Sequence, residues 1–184
     1  MRLPLVPLLF ALCALLNGNA AASDAQRNLE FLGFRSQIPE DWQPNTPSSS
    51  MRAAQVMVPG ADPVEMIVYY FGPGQGGSAE ANIARWQGQF RPVDGKPVEA
   101  MVDHFQTQGG FPVTWVELRG DYARGVGMGP MGEYKPDRIL IAAVTETPKG
   151  NLYIQFHGEA DNVAKHKEKF RKFVANLAPL PEQF

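Results

Sequence analysis

The chain has 184 residues, 44% of them apolar, one cysteine and a formal net charge of −2. That length suits one domain with a substantial core. Its 17 basic residues are outnumbered by 19 acidic ones, which leaves no electrostatic footprint for nucleic acid or for an anionic lipid surface.

Met1-Arg2, the apolar stretch Leu3 to Leu16 and the small-residue run Asn17-Gly18-Asn19-Ala20-Ala21-Ala22 are the three parts of a secretory signal. Pro4 and Pro7 interrupt the stretch, and a spanning helix needs about 20 apolar residues. Residues 1–22 therefore read as a cleavable signal peptide and 23–184 as a single globular domain, with no transmembrane segment after cleavage. Cys13 follows Leu12, not the small residue that precedes a lipid-modified cysteine, and is lost with the signal. The mature 162 residues (184 less 22) keep 16 basic and 19 acidic groups, a net charge of −3. They have no disulfide, thiol nucleophile or thiolate metal site. The expected location is periplasmic or secreted.

Residues 23–30 read as a polar lead-in. Leu32, Phe34 and Ile38 share a period of two, which predicts a first strand over 31–38. Pro44 to Ser50 is loop by composition. Residues 51–58 predict a second strand and 64–71 a third. Val64, Met66, Val68 and Tyr70 on one face of the third, and Ile67, Tyr69 and Phe71 on the other, mark a central strand covered on both sides. A glycine-rich loop, 72–77, leads to Ser78 as N-cap of a helix, with Glu80 in its first turn. Ala79, Ile83, Trp86 and Phe90 form its apolar face, and Arg91-Pro92 ends it. Strand-like runs follow near 97–107, 112–121, 138–147 and 151–157, the last two joined through Pro148-Lys149-Gly150-Asn151. A final helix spans about 160–178 on the stripe Val163, Phe170, Val174 and Leu177, stopped by Pro179 and Pro181. The order β-β-β-α-β-β-β-β-α indicates an α+β fold. A mostly antiparallel sheet of six to seven strands is covered by two amphipathic helices.

The opening Phe34-x-x-x-Ile38-Pro39-x-x-Trp42, the meander, and the closing strand Gly150-x-Leu152-Tyr153 to Phe156 before an amphipathic helix resemble the PsbP-like fold, an α/β/α sandwich. That group includes extrinsic photosystem II subunits and DcrB-like bacterial envelope proteins. The strand MRAAQ, the glycine-rich loop and the helix EANIARWQGQF resemble a group of uncharacterised exported bacterial proteins. The resemblance covers most of 31–178 and implies a binding or assembly module rather than an enzyme. It carries over no functional residue. No ligand cluster here matches the manganese, calcium and chloride chemistry near which the photosystem subunits work.

Gly72-Pro73-Gly74-Gln75-Gly76-Gly77 fits G-x-G-x-x-G between a strand and a helix, with Asp94 beyond it. The export signal and the missing βαβ series set that dinucleotide reading aside. A looser anion or carboxylate site at the helix start, Gly74, Gly76, Gly77 and Ser78, remains a candidate. Gly77 stands where a Walker A loop needs lysine. His104, His157 and His166 have no metal-type partners at ligand spacing, and no Gly-x-Ser-x-Gly elbow is present. No catalytic residue, metal site or cofactor is expected. Arg119-Gly120-Asp121 is ordinary turn material at a strand end. Lys165, Lys167, Lys169, Arg171 and Lys172 read as the solvated face of the last helix. The run Arg124 to Gly132 holds four glycines and two methionines. It puts forward Gly127, Met128 and Gly129 as a second candidate binding segment. Trp42, Trp86 and Trp115 are expected in the core or at its edge, where any of them can wall an apolar pocket.

The expected function is an exported cell-envelope module that binds a protein partner or a small ligand without catalysis. The alternatives are a hydrolase using carboxylates such as Asp103, Glu117 or Asp121, and a structural envelope protein with no discrete site.

Overall fold

The computed structural model describes residues 26–60, 62–124 and 132–181. Its main sheet follows from the long alternating strands of the second half of the chain. β4 (Arg52–Val58), β5 (Val64–Tyr70), β7 (Pro112–Tyr122), β8 (Lys135–Thr147) and β9 (Gly150–Glu159) join the short β3 (Gln43–Asn45) and β6 (Met101–Gln106), with α1 (Ala79–Gln87) between β5 and β6. The seven strands lie in the order β3-β4-β5-β9-β8-β7-β6, every neighbour antiparallel. The β8–β9 hairpin turns through Pro148 and Lys149, with Thr147 opposite Gly150. β5 is interior to the sheet and apolar on both faces because both are covered.

The two faces carry separate cores. Val56, Met66, Ile154, Phe156, Ile141 and Trp115 face α2 (Ala160–Ala175), which buries Val163, Phe170, Phe173 and Val174 against them. On the other face Val116, Leu118, Leu140, Ala142, Val144 and Tyr153 meet Trp86 of α1 and Phe90 beyond it. β5 and β6 run in the same direction with three strands between them. α1 and the 88–100 segment therefore cross the sheet on that second face. This is the α/β/α sandwich expected from the sequence.

Several details differ from the sequence reading, among them that Pro44 and Asn45, read as the start of a loop, belong to β3 and pair with Val56 and Gln55. The stretch expected as a polar lead-in is strand: β1 (Gln26–Phe31) pairs with β2 (Phe34–Pro39), and β10 (Ala178–Pro179) adds a third strand. Leu32 and Gly33, at φ 51° and 79°, are the two central residues of the hairpin turn, where both need positive φ. Leu32 is therefore 41% exposed and does not continue the Phe34 and Ile38 face. Its apparent period of two with Phe34 arises across the turn. The small sheet packs beside α2, with Phe31, Phe34 and Ile38 in the α2-side core and Ser36 Oγ donating to the Phe173 carbonyl. The helices also end earlier than expected, α1 at Gln87 and α2 at Ala175.

Candidate functional site

β4, β5 and β9 present side chains in register on the α1 side of the sheet. Tyr69 is opposite Arg52 on one flank and Tyr153 on the other; Ile67 is opposite Gln55 and Gln155; Glu65 is opposite Met57 and His157. A bulge between Arg52 and Ala54 sets this pattern. Without it Arg52 would share the face of Ala54 and Val56, the α2-side core. The extra residue turns Arg52 to the α1 side instead.

Between this surface and α1 lies a cleft of about 400 Å³, at the lower end of the range of small-molecule sites, roughly 300–1,000 Å³. Aromatic side chains wall it: Tyr69, Phe71, Trp86, Tyr122 and Tyr153. Phe71 stacks on Tyr69 at 6.3 Å and an interplanar angle of 5°, and tilts against Tyr153 at 5.6 Å. Arg52, Arg85 and Arg124 are the charged lining residues, and no aspartate or glutamate is among them.

The charge of two of these guanidiniums is met from below. Arg124 Nη1 donates to Glu65 Oε2 at 2.7 Å and Nη2 to the Tyr69 hydroxyl at 3.1 Å. Arg52 Nη1 donates to Gln55 Oε1 at 2.9 Å and lies 3.4 Å from Glu65 Oε1, which also accepts from Gln55 Nε2 at 2.8 Å. His157 Nε2 approaches Glu65 Oε2 at 3.4 Å. Burial pushes the Glu65 carboxyl upward, but the His157 ring and the Arg124 charge outweigh it and hold it at about 2, against 4.5 for an ordinary glutamate. Burial pushes His157 down from 6.5, so its ring is neutral. Tyr122 is pushed up by burial and donates to Gln89 Oε1 at 3.1 Å.

Glu65 and His157 both favour their deprotonated forms when folded. Their contribution is thus full above the ordinary histidine value of 6.5. It is lost as pH falls, first through His157 and then through Glu65 between 4.5 and about 2. Urea midpoints are expected to decline from pH 7 to pH 5.5 and more steeply to pH 3.5. A flat profile over that range contradicts the ionised-glutamate network.

Arg85 is held differently. Its Nη2 donates to Asn82 Oδ1. Asn82 is buried, and its Nδ2 donates to the carbonyls of Gly76 and Ser78, both at 2.8 Å. The carbonyls of the glycine-rich loop thus set Asn82, and Asn82 aims Arg85 along the cleft wall. The sequence-expected residues of this loop have distinct places. Gly74 is exposed on the outer side. Ser78 caps α1, accepting from the Ala81 N–H at 3.2 Å. Gly77 offers its carbonyl, and Gln75 its own, to the Tyr153 hydroxyl at 2.7 and 3.0 Å. Gly76 has φ 88°, and a Cβ there would stand 2.5 Å from the Tyr153 ring. Gly76→Ala is expected to cost roughly 1–3 kcal/mol from strain and displacement of Tyr153, measured by denaturant titration. Gly127, Met128 and Gly129 lie outside the described residues, though Arg124, just before them, is on the cleft wall.

The three carboxylates considered for hydrolysis each carry their own cation: Asp103 with Arg171 at 2.7 Å, Glu117 with Lys167 at 2.7 Å, Asp121 with Arg91 at 3.1 Å. Among the described residues no three His, Cys, Asp or Glu side chains gather around one point, and no helix is long and apolar enough to cross a membrane. Of the three tryptophans, Trp86 is on the cleft, whereas Trp42 and Trp115 are buried on the α2 side. Sequence reasoning passed over Glu65, Arg52 and Arg85. The available signal was a single acid inside a strand otherwise apolar on both faces.

No protein-family model matches the chain, and no curated protein does. Among solved structures it is similar to LpqN, described as involved in cell envelope biogenesis of Mycobacterium tuberculosis. The identity is 14% and the TM-score 0.49, over 85% of this chain and 91% of that one. It is also similar to the cyanobacterial PsbP, CyanoP, of Synechocystis sp. PCC 6803. There the identity is 12% and the TM-score 0.53, over 87% of this chain and 95% of that one. The likeness to CyanoP shows that the fold is PsbP-like.

Proposed function

We propose that this chain is an exported cell-envelope protein whose single domain, following a removed signal peptide, is a non-enzymatic binding module for a small organic ligand held between α1 and the sheet. The observation that carries this reading is the cleft of about 400 Å³ with five aromatic walls and three guanidiniums. Apolar walls with a few convergent polar groups are the ordinary anatomy of a ligand site. Export is supported by Met1-Arg2, the apolar stretch after it and the small residues ending at Ala22. The hydrolase alternative finds less support, because its candidate carboxylates are each neutralised by a separate partner.

The test is native mass spectrometry of the protein expressed with its own leader and purified gently from the envelope fraction. The expected result is a chain beginning at Ser23 that carries a discrete added mass of small-molecule size. A chain that keeps residues 1–22 would contradict export. A chain without added mass that also fails to take up any ligand from an envelope extract would contradict the binding module.

A further inference from the structure

We infer that the ligand of this cleft is a small organic anion with a flat apolar body, its anionic group held by Arg85 and its body lying against the aromatic wall of Tyr69, Phe71, Trp86 and Tyr153. The inference rests on the cleft being a ligand site and names what that site takes.

Charge balance comes first. Three guanidiniums line the cleft, and one carboxylate, Glu65, reaches two of them, Arg52 and Arg124. Three positive charges less one negative leave a surplus of two. His157 below them is neutral at pH 7 because burial disfavours its charged form. Among the described residues no carboxylate lies within ion-pair distance of Arg85. Surplus charge between low-dielectric aromatic walls is felt more strongly than on an open surface. A cation is repelled there, and a neutral molecule leaves the surplus unanswered.

Orientation comes second. Guanidinium presents five N–H donors in a planar fork. Asn82 takes one through Nη2, and the remainder of the fork is available to a carboxylate or sulfonate. Asn82 is itself locked by the carbonyls of Gly76 and Ser78, so the fork is set before a ligand arrives. The glycine-rich loop acts on binding through this relay. Gly76 and Ser78 are positioning residues through Asn82 and Gly77 through Tyr153, and Arg85 is the group that touches the anion.

Shape comes third. The Tyr69 and Phe71 rings are nearly parallel, at an interplanar angle of 5°, and Tyr153 is fixed by its hydroxyl contacts to two loop carbonyls. Rigid rings of this kind favour a flat partner by offset or edge contact.

The experiment is calorimetric titration of the purified protein with three probes: 2-naphthoate, 2-naphthylmethanol and inorganic phosphate. Each is repeated on Arg85→Met. The inference predicts that wild type binds 2-naphthoate at least about tenfold more tightly than either other probe, the gain of a charge-assisted over a neutral contact. It also predicts that Arg85→Met reduces that advantage to about twofold or less. Equal affinity for 2-naphthoate and 2-naphthylmethanol would overturn the anion assignment while leaving the cleft a ligand site. Phosphate binding as tight as 2-naphthoate would overturn the flat-body assignment. Failure of both naphthalene probes to bind would overturn the flat aromatic-anion assignment, whereas the proposed function falls only if the protein also takes up no ligand from an envelope extract. An advantage for 2-naphthoate that survives Arg85→Met would overturn the assignment to Arg85, and should that variant fold poorly by circular dichroism, Arg85→Gln takes its place in the same comparison.

Discussion

Glu65→Gln is expected to lower unfolding free energy at pH 7 by about 2–4 kcal/mol, somewhat under the roughly 3–5 kcal/mol for breaking a fully buried ion pair, because the Arg124 side chain is 34% exposed. The side chain is nearly isosteric, so the loss comes from charge. Arg52 Nη1 and Arg124 Nη1 both address this carboxylate. With glutamine in place, two guanidiniums would confront each other across an uncharged amide. The difference between about 2 in the folded chain and 4.5 for an ordinary glutamate gives an independent figure of roughly 3 kcal/mol. The variant is also expected to lose less stability than wild type between pH 7 and pH 3.5, because the Glu65 share of the acid sensitivity is gone while those of His157, Asp103 and Glu80 remain. Urea denaturation at pH 7 and pH 3.5 checks both statements. A destabilisation below about 0.5 kcal/mol, the scale of an ordinary surface substitution, would mean that the network is solvated and weak.

Trp86→Ala is expected to cost about 3–5 kcal/mol, the usual range for truncating a buried aromatic side chain. Trp86 anchors α1: it is 1% exposed and packs in the α1-side core with Phe90, Tyr153 and Val144. Truncation also removes one wall of the cleft. The same change at Trp42 is expected to destabilise to a similar degree, because its ring stacks on Phe156 at 5.5 Å in the opposite core. The two variants differ in binding. Trp86→Ala loses affinity for 2-naphthoate, and Trp42→Ala keeps it under conditions where the variant is folded. Thermal melts and the calorimetric titration measure the two effects separately.

The sheet was legible because its strands carry strong period-two patterns. Leu152, Ile154 and Phe156 alternate with Tyr153, Gln155 and His157, and the structure puts the first set in the α2-side core and the second on the α1 side. α1 was legible from Ser78 and from Trp86 at helical spacing. β1 was not, because Gln26 to Glu30 holds mostly polar residues on an exposed outer strand, and its pairing depends on a turn at Leu32-Gly33 whose non-glycine member gives little warning. The cleft was less legible still. Its members come from β4, β5, α1, β7 and β9, and which of them meet depends on the sheet order and on one bulge beside Arg52. The glycine-rich loop stood out by composition. Its connection to Arg85 runs through Asn82, which in the sequence is an ordinary helix residue.

Indole N–H resonances offer the most direct test of the cleft as the ligand site. Trp86 lines it, whereas Trp42 and Trp115 are buried across the sheet. In a titration of the ¹⁵N-labelled protein with 2-naphthoate, the account predicts that the Trp86 indole signal shifts and saturates while the other two hold their positions. A Trp86 signal that stays in place while either of the others moves, or three signals that never move, would contradict it.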